Sequence, residues 1–247
     1  MMSKKTNIGI ALLMCLFIFA GCGSSDRYAK FSKEDQQLSW QGEHKRSFGD
    51  SDYSKIETEA EAFSLVKDKY QLAIPSYYEE SKKLIEDEIP SEKVKQGETL
   101  YSVFTREKEL SFQTTYTFYE EDELQIMADV TLNYEFSKKQ EQAYLRSQIV
   151  SIKVVQVKGQ LPNDNVGELI QNMGQTMKFS DETIATGLAG YELQVDEATS
   201  PITTEFLPVV QNTNNIDKDT EFTKIIAVSY DVDGTLREIY GEISDLR

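Results

Sequence analysis

Two cysteines, Cys15 and Cys22, and one histidine, His44, are the only residues in this 247-residue chain suited to thiol, imidazole or soft-metal chemistry. Zinc normally needs three or four ligands, and a nucleophile–imidazole pair needs a histidine oriented by a third group. Both cysteines lie in the first tenth of the chain, while His44 sits between Glu43 and Lys45 in a polar stretch. It is therefore expected to be ordinary solvent-exposed surface. Two acidic runs invite a calcium reading. In "DVDGT", residues 231–235, placing Gly234 at position 6 of an EF-hand loop puts Ser229 at position 1 and Tyr240 at position 12, so the pattern fails. A turn between two strands accounts for Asp233-Gly234 better. "DKDTE", residues 217–221, reads as a solvated loop. The sequence contains no nucleophile elbow, P-loop, dinucleotide fingerprint or zincin motif. No catalytic, cofactor-binding or metal residue is assigned, and the chain is read as non-enzymatic.

The N-terminus is more specific. "MMSKKTNIGIALLMCLFIFAGCGSSD" places Lys4 and Lys5 ahead of an apolar run from Ile8 to Ala20. That run is about thirteen residues, short of the roughly 20 that span a bilayer core. A cationic start, a short oily centre and a small-residue boundary build a secretory signal. The boundary Phe19-Ala20-Gly21-Cys22 resembles the lipobox of bacterial lipoproteins, with Phe19 where leucine is commoner. The resemblance covers residues 1–26 and implies cleavage after residue 21 and a diacylglycerol on Cys22. Two acyl chains give stable anchoring where one does not. Cys15 would leave with the signal, so the mature chain would form no disulfide and its fold would rest on its core. The oily stretch ahead of Cys22 also resembles the source of short signalling peptides in some Gram-positive bacteria. Every lipoprotein signal has such a stretch, so it is read as discarded.

Charge narrows the partners. The chain has 26 Lys+Arg against 42 Asp+Glu, a net −16. Residues 1–21 hold two lysines and no acids, so their removal leaves 24 against 42, a net −18. Such a surface repels nucleic-acid phosphates and anionic lipid headgroups. It favours solubility or a cationic partner. Only six of the basic residues are arginine, and a lysine-heavy, acidic chain behind this signal resembles the lipoproteins of low-GC Gram-positive bacteria.

Periodicity sets the architecture. Residues 22–50 are expected to comprise the lipidated cysteine and, over 23–50, a flexible tether without a sustained period, with Trp40 docking its end on the domain. Thr58 and Glu61 have capping-box spacing before Phe63, Val66 and Tyr70 on one helical face. Ser76 and Glu79 repeat that spacing after Pro75, before Tyr77, Leu84 and Ile85. Leu110–Phe118 then alternates at period two, and Leu124–Phe136 sustains that alternation over thirteen residues. This predicts long strands with one buried and one wet face. Further strands are expected around 100–105 and 144–157. Past Gly159 and Pro162, a helix is predicted from Val166 to Met177 and a weaker one from Ser180. "TEFLPVV" predicts a proline-bearing edge strand, and "FTKIIAVSYD" and "TLREIYGEIS" a hairpin. The expected class is α+β: an antiparallel meander covered by helices, with 51–159 and 160–247 as two tandem helix–helix–meander units. One sheet through both is the alternative.

Function is read as a membrane-anchored, extracellular binding module, with outward tyrosines such as Tyr119 as a recognition surface and a cationic protein or peptide as partner. A small-molecule carrier of an uptake system is the alternative. An unmarked hydrolase comes third, because 42 acids offer many carboxylate pairs. Replacing Cys22 with Ala is expected to abolish acylation, so that the chain is no longer processed and retained as wild type. Fractionation with immunoblotting checks this, and a variant processed and retained as wild type would contradict it.

Overall fold

The computed structural model describes residues 27–155, 166–196, 206–217 and 220–247. The lipobox, Cys15 and Cys22 lie outside them, as do positions 218–219 of "DKDTE". Nine antiparallel strands form one sheet: β1 Gln41–Glu43, β2 Ser51–Ile56, β3 Val94–Arg106, β4 Glu109–Glu120, β5 Glu123–Ser137, β6 Gln142–Val154, β7 Leu207–Asp217, β8 Thr220–Tyr230 and β9 Leu236–Leu246. Their order is β2-β3-β4-β5-β6-β9-β8-β7, with short β1 on the start of β6. Among the described residues five α-helices accompany them: α1 Lys33–Gln37, α2 Glu59–Ser64, α3 Ser76–Glu88, α4 Val166–Thr176 and α5 Asp181–Asp196. The class is α+β, as the alternation predicts.

The sheet is continuous through the expected boundary at 159/160. Ser147–Lys153 of β6 pairs with Glu238–Ser244 of β9. Backbone ladder bonds therefore join the two helices-then-strands halves, and the helices of both cover the same face. Tyr78 of α3 shares a hydrogen bond with Thr114 of β4, and Phe63 of α2 packs edge-on against Phe112. Further along, a side chain at Gly241 of β9 would collide with Met173 and Met177 of α4. Gly187 lets α5 pass against β7, since a Cβ there would stand 2.4 Å from the Val209 carbonyl oxygen. The two glycines that weaken the α5 pattern thus include one that the packing requires.

The long alternation is borne out: Ile126, Val130, Leu132 and Tyr134 are all buried on the covered face. Leu124 is half-buried, because the β4–β5 register shifts between Phe118 and Tyr119. Pro208 does lie in the edge strand β7. Thr58 caps α2 by accepting from the Glu61 backbone N–H at 3.2 Å. Ser76 is not a cap: it opens α3 behind Pro75, with no side-chain capping bond.

The tether expectation is overturned from Arg27 onward. Phe31, Leu38 and Phe48 are buried, and Trp40 packs on the core at 5.9 Å from the Tyr134 ring. The covered face explains why. One row across the sheet reads Val103, Phe112, Leu132, Gln148, Ile243, Lys224 and Asn212. Its buried polar members, Gln148 and Lys224, meet the N-terminal segment. Gln148 donates to the Leu38 carbonyl, and the Lys224 ammonium stands 3.1 Å from Asp35 Oδ1, both side chains 4% exposed. Asn214 donates to Asp35 Oδ2 at 2.9 Å, Lys224 donates to the Lys178 carbonyl at 3.0 Å, and the Phe179 ring lies under the ammonium. Nearby, Asp245 is bracketed by Arg27 and Arg247, and Arg247 lies over the Tyr144 ring.

A buried pair at this site makes removal of one partner costly, while removing both is mild. Lys224→Ala is expected to lose about 3–5 kcal/mol of unfolding free energy by leaving Asp35 buried and uncompensated. Asp35→Leu with Lys224→Met is expected to lie far closer to wild type. Denaturant unfolding monitored by circular dichroism checks both.

Candidate functional site

The opposite face of the sheet carries no helix among the described residues. Its side chains follow from the same alternation that builds the core, taken one residue out of phase. Across the strands the register aligns Gln113, Thr131, Ile149, Glu242 and Ile225 in one row, and Thr115, Asp129, Ser151, Tyr240 and Ala227 in the next. This is a polar surface with apolar insertions. Leu100 and Phe104 of β3 are exposed on it at 51% and 39%.

Its acids fall into two kinds. Asp129 is buried among its neighbours, accepting from Gln113 Nε2 at 2.9 Å and Thr115 Oγ1 at 2.6 Å, with Lys153 at 3.4 Å as its counter-ion. Glu238 and Glu242 of β9 differ. Ser151 donates to Glu238, and Tyr240 at 2.6 Å and Ser244 donate to Glu242. Neither forms an ion pair among the described residues. Hydroxyls thus orient two half-buried carboxylates, while the cations nearby are engaged elsewhere: Lys153, directly across the strands from Glu238, pairs with Asp129, and Arg146, which borders a cavity with Glu242, pairs with Glu109 and Glu135. Burial first, and then the bond to Glu242, holds the Tyr240 phenol protonated well above the ordinary tyrosine range.

The Phe206 ring stands 6.3 Å from Tyr240 at an edge-on angle. Phe206, Ser229, Glu238, Tyr240 and Glu242 line a cavity of about 290 Å³. Glu242 also borders a second cavity, of about 330 Å³, with Ser111, Asn133, Arg146 and Ser147. The arrangement is a shallow, acidic, aromatic-walled trough across the sheet, suited to holding a cationic side chain by charge and ring face together.

The residues singled out in the sequence are scattered. Tyr119 lies at the far end of the open face, its ring over Gly97, where a Cβ would stand 2.6 Å from Tyr119 Cε2. Asp233 and Gly234 form the β8–β9 turn, with Gly234 at φ +84° and Asp233 Oδ1 accepting from the Thr235 N–H. Among the described residues no three His, Cys, Asp or Glu converge as a metal site. Glu238, Tyr240 and Glu242 escaped sequence reading, although their alternation in "REIYGEI" puts all three on one face of the strand.

His44 is not the exposed residue expected. It is half-buried, its ring 5.0 Å from Phe48 and 5.7 Å from Phe136, and burial lowers its pKa. It lines a cleft of about 660 Å³ between residues 43–48 and 69–71. The second wall is a π-helical turn, Leu65–Lys69, followed by Gln71 at φ +56°. Such turns and left-handed non-glycine residues concentrate at functional positions. Beside it the Lys69 ammonium donates to the Tyr53 hydroxyl and lowers its pKa to about 8. Comparison with protein-family models, characterised proteins and solved structures finds no match to this chain.

A pH titration followed by phenolate absorbance is expected to show one tyrosine ionising near pH 8. Tyr53→Phe should remove that step. Lys69→Met should return it toward the ordinary value of about 10. An unchanged curve in both variants would contradict the pairing.

Proposed function

We propose that this protein is a lipid-anchored surface lipoprotein that binds a cationic protein or peptide segment across the open face of its sheet. The lipobox resemblance at Phe19–Cys22 supports the anchoring, through two acyl chains on Cys22 at the outer face of the cell membrane. The observation that carries the binding role is the pair Glu238 and Glu242. Both are held in place by hydroxyls, neither forms an ion pair among the described residues because neighbouring Lys153 and Arg146 pair with other carboxylates, and both flank Tyr240 in a trough walled by Phe206.

A partner that supplied lysine or arginine there would complete the charge balance. Its own rotamer entropy would be the main cost, because the acceptors are already oriented. The half-exposed site keeps each charge contact modest, so affinity would build from several contacts along the face. Leu100, Phe104 and the aromatic wall would add apolar area.

The test uses fluorescence anisotropy with labelled Lys- and Arg-rich peptides against the mature chain. Saturable, salt-sensitive binding is expected, and Glu238→Gln with Glu242→Gln is expected to weaken it on the order of 10-fold, about 1.4 kcal/mol. Binding that survives the double substitution unchanged would place the contact elsewhere. Binding of neutral peptides with equal strength would remove the electrostatic basis.

A further inference from the structure

We infer that the protein stands on an anionic membrane surface with one end of its sheet down, through a basic tip made by the turns nearest its N-terminus. This inference rests on the anchoring reading above. The tip comprises residues 43–50, 67–71, the β3–β4 turn at 106–109 and the β5–β6 turn at 137–142. Backbone bonds tie these segments together: His44 donates to the Glu141 carbonyl at 2.9 Å, Phe48 to Glu107 at 2.7 Å, and Phe136 to Lys108 at 2.7 Å.

In a chain of net −16 these segments hold eight Lys and Arg against six Asp and Glu. Arg46, Arg106, Lys108, Lys138 and Lys139 are exposed there and form no ion pair among the described residues. The opposite end inverts the balance. Its turns at 120–123 and 231–235 hold six Asp and Glu and no Lys or Arg, and residues 92–98 beside them are balanced at two of each. Charge is therefore sorted along the strands.

Two magnitudes decide what a membrane would feel. The longest strand, β5, has 15 residues, so the acidic end stands about 50 Å from the tip. Surface potential decays within a Debye length of roughly 8–10 Å. The lipid surface thus meets the local charge of the tip rather than the net charge of the chain, and each basic side chain within that layer is attracted. The whole-chain charge, which argues against anionic lipid, acts mainly beyond reach.

The anchor is at the same end. Arg27 pairs with Asp245 near the close of β9, and Arg247, on the other side of that carboxylate, reaches Gln41 of β1 at 2.9 Å. Cys22 precedes Arg27 by five residues, a reach of at most about 18 Å. The start of the folded chain cannot stand farther than that from the lipid. The β7–β8 turn, which includes Asp217, lies at the other edge of this end, so the molecule meets the surface tilted toward the β2–β6 side. That orientation keeps the strands steep and presents the open face sideways, clear of the bilayer.

The experiment starts the chain at Cys22 and couples that thiol to a maleimide lipid, so it does not depend on cellular lipidation. A dye on a clickable residue at position 140 or 122 is quenched by a headgroup-located quencher in vesicles of phosphatidylcholine with or without phosphatidylglycerol. With phosphatidylglycerol, strong quenching at 140 and little at 122 is expected. That contrast should shrink on pure phosphatidylcholine, in about 1 M salt, where the Debye length is about 3 Å, and in Lys138→Glu with Lys139→Glu. Equal quenching at both positions overturns the inference, as does a contrast indifferent to lipid charge, salt and the lysine substitutions. Equal quenching combined with lysine-dependent binding of soluble polyphosphate overturns it too, and assigns the tip to a phosphate polymer. Circular dichroism confirms that the double variant is folded.

Discussion

An antiparallel sheet whose seven longer strands run 11 to 15 residues presents an apolar face that must be covered from end to end. Short helices cannot do this alone. Helices α2 and α3 lie over the strands from β2 to β5, and α4 and α5 over those from β9 to β7. The remaining area is closed by residues 27–48, whose Phe31, Leu38 and Phe48 complete the core. Because every strand is hydrogen-bonded to its neighbours, leaving any part of that face wet would expose apolar surface at about 25 cal/mol per Å². The requirement to close it explains why residues 27–48 fold back onto the sheet.

That closure is specified by polar chemistry. Gln148, Lys224 and Asp245 point into the covered face, positions at which apolar residues would pack equally well. Each meets a partner from the N-terminal segment: the Leu38 carbonyl, Asp35 and Arg27. Buried ion pairs contribute little net stability compared with apolar packing, yet a misregistered segment would deprive three buried groups of a partner. They act as register marks for the docking of α1. The buried tyrosines work similarly, since Tyr134 donates to the Ala73 carbonyl at 2.7 Å and fixes the chain between the π-helical turn and α3.

The two faces and two ends of the sheet then divide the remaining work. One face is spent on stability, which frees the other to carry hydroxyls, carboxylates and isolated aromatics without unfolding the protein. On the β2–β6 side the turns of one end carry a small basic excess while the turns of the opposite end are acidic, so a single acidic composition hides local differences of charge along the strands.

The sequence by itself determined the strand-rich α+β class, because period-two alternation over Leu110–Phe118 and Leu124–Phe136 admits one buried face and nothing helical. It also determined the α2 cap at Thr58, the β8–β9 turn at Asp233-Gly234 and the edge position of β7, each a local rule of backbone chemistry. Tertiary structure decided the rest. Residues 27–50 have no period because their buried side chains answer to distant strands, and Asp35 and Lys224 are 189 positions apart. The joining of two similar halves into one sheet depended on which edge β9 found, which no local pattern encodes. Glu238 and Glu242 became a candidate site for the same reason. Their alternation was legible, but that Lys153 and Arg146 of β6 pair with Asp129, Glu109 and Glu135 rather than with them is a property of the neighbouring strands, which only the assembled sheet brings together.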